Sequence, residues 1–128
     1  MTDFAYNRIS TERRGTMFDL ISISDVMKLT YEQKGILIDV RSPEAYRNGH
    51  LPMAENVPLD DILDEKYRFD SQLPVFLYCD TGSSSMMAAR KLDEDGIKAY
   101  SVAGGIHSYR GYLEKEKDEL WTMVLAKE

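Results

Sequence analysis

The chain has 128 residues, a formal net charge of −6 and one cysteine. That length sets a single domain with one core, and the acidic balance argues against general affinity for nucleic acid or anionic membranes. No apolar run approaches the roughly 18 residues of a membrane span, a lone cysteine excludes an internal disulfide framework, and the first twenty residues lack the apolar stretch of a secretory leader, so the expected setting is cytoplasmic.

Residues 1–16 mix polar and charged side chains with isolated Phe4, Tyr6 and Ile9, and read as an N-terminal extension to a domain over 17–128. Ser24 is expected to cap a helix that opens with Asp25 and carries Val26, Met27 and Leu29. Gly35 releases the chain into Ile36-Leu37-Ile38-Asp39-Val40, apolar on both faces as a central parallel strand is. Ser42-Pro43-Glu44 is a helix start, and that helix ends near Asn48-Gly49. Ala54–Pro58 forms a short strand, Leu59–Leu63 a turn or two of helix, and Val75–Tyr78 a second buried strand. Ser85–Leu92 is helical, with Ala88, Ala89 and Leu92 on one stripe, and Gly96 closes it. Ala99–Val102 is a third strand, after which Gly104-Gly105 turns into another helix. Leu113, Leu120, Trp121 and Val124 repeat at helical spacing, which places a C-terminal helix over about 113–127. Strands alternating with helices give an α/β domain with a mainly parallel sheet, in which sites form at the carboxyl ends of strands.

Cys79 sits at such an end. The sequence Val75-Phe76-Leu77-Tyr78-Cys79 runs straight into Asp80-Thr81-Gly82-Ser83-Ser84-Ser85. Thiolates, not thiols, are nucleophiles, and a helix N-terminus favours the anion through its unpaired N–H groups and its dipole. Gly82 lets the backbone bend inward, residues 80–85 can form a nest of amide donors around the sulfur, and Thr81, Ser83, Ser84 and Ser85 add hydroxyls. Such a cradle suits a thiolate, a persulfide or a covalently attached oxyanion. An inert buried cysteine at a strand end is the competing reading of the same residue.

At this point the chain resembles the rhodanese family of sulfurtransferases. Ile38-Asp39-Val40-Arg41-Ser42-Pro43-Glu44-Ala45-Tyr46 is similar to the family's D-V-R-x-x-x-E-[FY] segment, with Glu44 one place early. Gly49-His50-Leu51-Pro52-Met53-Ala54-Glu55-Asn56-Val57-Pro58 is similar to G-H-I-P-G-A-x-N-[IV]-P, with Met53 for the usual glycine. Cys79–Ser85 resembles the loop C-x-x-G-x-[RS]-S, and Val102-Ala103-Gly104-Gly105 with Tyr109 resembles V-x-x-G-G-x-x-x-W. The likeness covers about residues 18–113. It implies a three-layer rhodanese-like domain with a five-stranded, mainly parallel sheet flanked by helices. It implies a ping-pong sulfurtransferase of the thiosulfate type, in which Cys79 takes sulfane sulfur from thiosulfate or a persulfide and passes it to cyanide or a thiol, with no cofactor. The partners implied are a small sulfur donor and acceptor, with a protein persulfide as a further candidate. The substrate-binding residues implied are Asp80, Thr81, Gly82, Ser83, Ser84 and Ser85.

Ser84 stands where many members carry arginine, and Asp80 adds a negative charge to a loop that holds no cation, so an anionic donor such as thiosulfate is expected to bind poorly. Asp39, Arg41 and His50 are supporting candidates. The first two read as a strand-end ion pair before they read as an electrostatic aid, and His50 as a hydrogen-bonded turn residue before a general base. His107 and Arg110 could lie near the site mouth, and Met86 and Met87 border the loop. Two histidines and one cysteine, widely separated, make no metal-ligand spacing. Two other functions remain open: a non-catalytic binding or redox-regulatory module, and a cysteine phosphatase of the related cell-cycle type, which would want the guanidinium that Ser84 and Ser85 lack.

Overall fold

The computed structural model describes residues 18–115. The elements run β1 (Asp19–Ser22), α1 (Ile23–Glu32), β2 (Ile36–Asp39), α2 (Pro43–Asn48), β3 (Glu55–Asn56), α3 (Leu59–Leu63), β4 (Val75–Tyr78), α4 (Ser83–Glu94), β5 (Ala99–Ala103) and a single 3-10 turn (Ile106–Ser108). The strands form one sheet in the order β1-β5-β4-β2-β3, and every pairing in it is parallel. The expected five-stranded parallel sheet with flanking helices is therefore present.

The central strands explain why. Side chains alternate across a strand, and in β4 Val75 and Leu77 enter one core cluster while Phe76 and Tyr78 enter the other. The first cluster gathers Ile38, Ile62, Ala88, Ala89 and Leu92, so α3 and α4 cover that face. The second gathers Leu37, Val26 and Leu51, with Tyr46 packed against it, so α1 and α2 lie on that side. All four residues of β4 are fully buried, each worth about 1.5–3 kcal/mol by area removed from water. Cys79 continues the alternation and joins the first cluster, under α4.

Several local expectations shift. The helix expected to start at a Ser24 cap starts two residues earlier, with the Ser22 hydroxyl accepting the Ser24 N–H at 3.1 Å. The strand β1 before it had no clear pattern because it lies at the sheet margin and is largely exposed. α4 begins at Ser83, not Ser85, because Gly82 takes a φ of +119° and turns the chain at once. After Gly104-Gly105 the chain makes only the short 3-10 turn where a helix was expected. Glu114 pairs antiparallel with His50, so the expected C-terminal helix does not begin at 113. The rest of that helix, like the N-terminal extension, lies outside the described residues. Met53, in the place of a glycine, adopts a left-handed φ of +70° and keeps the turn.

Candidate active site

β4 delivers Cys79 to the carboxyl edge of the sheet, and the turn after β5 holds it there. The Ile106 N–H donates to the Cys79 carbonyl at 2.9 Å, and the His107 N–H to the Asp80 carbonyl at 3.1 Å. Gly105 permits that approach: a Cβ on it would sit 2.5 Å from the Cys79 oxygen and 2.4 Å from the Asp80 oxygen. The Gly-Gly turn is thus a clamp on the backbone that carries the thiol. His107 contributes through its amide.

Among the described residues, two amides reach the sulfur. Gly82 N–H lies 3.0 Å from Sγ and Ser85 N–H 3.4 Å. The expected nest over 80–85 is therefore narrower than the sequence suggested, because α4 starts early and turns Ser83 and Ser84 into its first helical turn. The Ser85 hydroxyl lies 3.6 Å from Sγ, donates to the Gly82 carbonyl at 3.1 Å and pairs with the Ser101 hydroxyl at 2.8 Å. Ser85 and Ser101 are fully buried. Ser85 is thus a brace beneath the sulfur, and Ser101 is a site residue the sequence reading missed. Its signal was a small hydroxyl side chain at a buried position of β5.

Above the sulfur lies a pocket of about 370 Å³ lined by Val40, Arg41, Ser42, Ala45, Cys79, Asp80, Thr81, Ser83 and Ser84. Of the expected substrate-binding residues, Asp80, Thr81, Ser83 and Ser84 line it, whereas Gly82 and Ser85 contact the sulfur from below. Cys79 is 4% exposed, so a reactant must enter the pocket to meet it. The first N–H groups of a helix have no acceptor within it, and Ser83 and Ser84, the first two residues of α4, line this pocket.

The missing cation comes from a neighbouring strand. Arg41, at the end of β2, lines the same pocket with its side chain 10% exposed, and its Nη1 lies 3.6 Å from Asp80 Oδ1. The loop holds no cation, but the pocket does. The rest of the guanidinium is engaged: Nε meets Asp39 Oδ1 and Oδ2 at 3.0 and 3.1 Å, and Nη2 donates to Asp39 Oδ2 at 2.7 Å and to the Gly49 carbonyl at 2.6 Å. Burial works against the Arg41 cation, but the hydrogen bonds and charge of Asp39, with Tyr78 and Asp80, hold its pKa above the ordinary value. The Tyr78 phenol, which accepts the Leu51 N–H at 3.0 Å, is pushed well up by burial and then by the charge of Asp39. Asn56 closes the unit by donating to the carbonyls of Asp39 and Arg41, both at 3.0 Å.

His50 stands apart from the pocket. Its Nδ1 lies 2.7 Å from the Tyr46 carbonyl, its Nε2 3.7 Å from Glu114 Oε1, and its ring stacks on Tyr46 at 3.7 Å. It ties α2 to the segment around Glu114, which is the hydrogen-bonded structural part and not that of a base for Cys79. No group of three or more potential metal ligands occurs among the described residues, and no described helix is long and apolar enough to cross a membrane.

The comparisons with known proteins agree with the fold. The family described as Rhodanese-like domain matches residues 22–112. The chain is 43% identical over 82 residues to the tRNA sulfurtransferase of Desulfurococcus amylolyticus, an overlap of 64% of this chain and 16% of that protein. It is 32% identical over 104 residues to the adenylyltransferase and sulfurtransferase MOCS3 of Drosophila persimilis, an overlap of 73% of this chain and 23% of that protein. It therefore spans less than a quarter of the length of either relative. A rhodanese-like domain protein from Staphylococcus aureus superposes with a TM-score of 0.69 at 27% identity, over 78% of this chain and 100% of that one.

Proposed function

The chain belongs to the rhodanese-like domain family, and from that premise we propose that it is a sulfurtransferase that carries sulfane sulfur on Cys79. In the first half-reaction the Cys79 thiolate attacks the outer sulfur of a donor R–S–SH. The donor's S–S bond breaks, R–S⁻ leaves with the bonding pair, and the enzyme holds Cys79–S–SH. In the second, an acceptor thiolate attacks that outer sulfur, the new S–S bond breaks, and Cys79 leaves again as thiolate. Cyanide in the same role leaves as thiocyanate. No external oxidant or reductant is consumed.

Each half-reaction begins or ends with negative charge on Sγ, and the Gly82 and Ser85 amides are fixed donors to that charge. The outer sulfur then occupies the pocket beside Ser83 and Ser84, at the positive end of α4. Asp39 positions Arg41, and Arg41 offsets part of the charge of Asp80.

Charge decides the donor class. Thiosulfate meeting the thiolate brings three negative charges together, whereas a protonated thiol-bound persulfide brings one. Arg41 is already engaged by Asp39 and faced by Asp80, so the pocket offers little to a dianion. The favoured donor is a thiol-bound persulfide. Phosphoryl transfer suits the site less well, because Ser84 and Ser85 replace a guanidinium and that of Arg41 is tied to Asp39 and Gly49.

The observation that carries this reading is the pair of amides, at 3.0 and 3.4 Å, on a sulfur at the floor of an open pocket. The test is intact mass after exposure to cysteine persulfide or to thiosulfate. The expected result is a gain of one sulfur atom with cysteine persulfide, a slower gain with thiosulfate, and none in Cys79→Ser. Failure of the unmodified protein to gain sulfur from either donor would remove the proposal.

A further inference from the structure

A second depression of about 450 Å³ runs away from the site along the outer face of α4, lined by Leu63, Ser83, Met86, Met87, Arg90 and Lys91, with Glu94 at its far end. Ser83 lines both this groove and the Cys79 pocket, so the two are adjacent. Beyond it Met86 and Met87 stand 39% and 53% exposed, an apolar pair on a helix whose buried stripe is Ala88, Ala89 and Leu92. Core packing therefore does not account for them. Lys91 is engaged, its ammonium 2.8 Å from Glu65 and 2.9 Å from Asp95, which push its pKa up to about 12. Arg90 is exposed, and its guanidinium has no ion-pair or hydrogen-bond partner among the described residues.

We propose that this groove docks an extended segment of a partner protein whose cysteine exchanges sulfur with Cys79, an apolar side chain seating on Met86 and Met87 and a carboxylate meeting Arg90. The inference rests on Cys79 being the sulfur carrier. Three observations fix the occupant. Cys79 is nearly enclosed, so a protein-borne thiol must arrive on a narrow, extended arm. The thioethers of Met86 and Met87 adapt to varied apolar partners. The free cation at Arg90 selects an acid, and Glu94, one turn further along α4, repels an acid placed beyond it.

Helix geometry sets the spacing. Arg90 lies roughly 10 Å along the axis from Ser83 at about 1.5 Å per residue, and an extended chain covers that distance in about three residues. Successive side chains of an extended chain point to opposite faces, so the partner segment carries its apolar residue two places and its acid four places from the cysteine, both on the face that meets the groove.

The test uses two synthetic peptides, each persulfidated at one cysteine. One carries leucine two places and aspartate four places from the cysteine; the other carries serine and lysine there. Cysteine persulfide is the small donor. The unmodified protein is expected to accept sulfur from the leucine–aspartate peptide with a kcat/KM about tenfold above that for the serine–lysine peptide. Arg90→Glu should shift the preference toward the lysine peptide. Met87→Asp should lower transfer from the leucine peptide. Neither change should alter transfer from cysteine persulfide, which needs only the pocket. Equal rates for the two peptides, or an equal loss with all three donors, would overturn the docking proposal while leaving Cys79 as a carrier. A concentration-dependent dimer abolished by Met87→Asp would also overturn it, by seating a second copy of the chain in the groove. No sulfur on Cys79 from any donor would remove both this proposal and the reaction it rests on.

Discussion

Two strand-to-helix turns meet at the pocket, one after β2 and one after β4, and they satisfy their helices in different ways. In α2 the cap is local: the Ser42 hydroxyl accepts the Ala45 N–H at 3.2 Å. In α4 the cap residue is Gly82, which has no side chain to offer, and the equivalent N–H, that of Ser85, donates instead to Cys79 Sγ. The Cys79 sulfur stands in for the capping oxygen. The β2 turn is fastened by charge, Asp39 against Arg41; the β4 turn is fastened by backbone amides from the Gly104-Gly105 turn. The same backbone motif thus makes a charge-paired wall on one side of the pocket and an amide-lined seat for the Cys79 sulfur on the other.

Breaking the wall should have the largest effect. Asp39 is fully buried, and Asp39→Asn leaves the nearly buried Arg41 guanidinium with only the exposed Asp80, at 3.6 Å, as counter-charge; an expected loss of about 3–5 kcal/mol can be read from urea unfolding. The clamp on the seat comes next. Gly105→Ala forces a Cβ against two carbonyl oxygens at a positive φ, and should cost roughly 3 kcal/mol by the same measurement and slow sulfur loading of Cys79. The smallest effects sharpen the comparison of caps. Ser42→Ala should cost about 1 kcal/mol, the usual value for a lost cap. If the sulfur truly caps α4, Cys79→Ala should cost a similar amount, about 1 kcal/mol, with part of it recovered in Cys79→Ser. A Cys79→Ala protein as stable as its parent would show that the sulfur has no capping part.

What the sequence made legible is what neighbouring residues decide. Val75–Tyr78 and Ile36–Asp39 read as buried strands because they are apolar on both faces, and Ser42-Pro43-Glu44 read as a helix start because a cap, a proline and an acid adjoin. The thiol at the end of β4 followed from the same local pattern. What was hidden depends on the chain folding back. Arg41 reaches Asp80, Ser101 braces Ser85, and the Gly105 turn clamps Cys79, each pairing residues far apart in the sequence. β1 was obscure because a largely exposed marginal strand needs no apolar alternation.

The sheet's far margin has a consequence of its own. β3 offers only Glu55 and Asn56 to its neighbour, and Pro58, which has no amide hydrogen, follows almost at once. A stray strand arriving there would find almost no ladder to extend. That side of the molecule is blunted against edge-to-edge aggregation, so another sheet can be crowded or tethered beside that margin without zipping onto it.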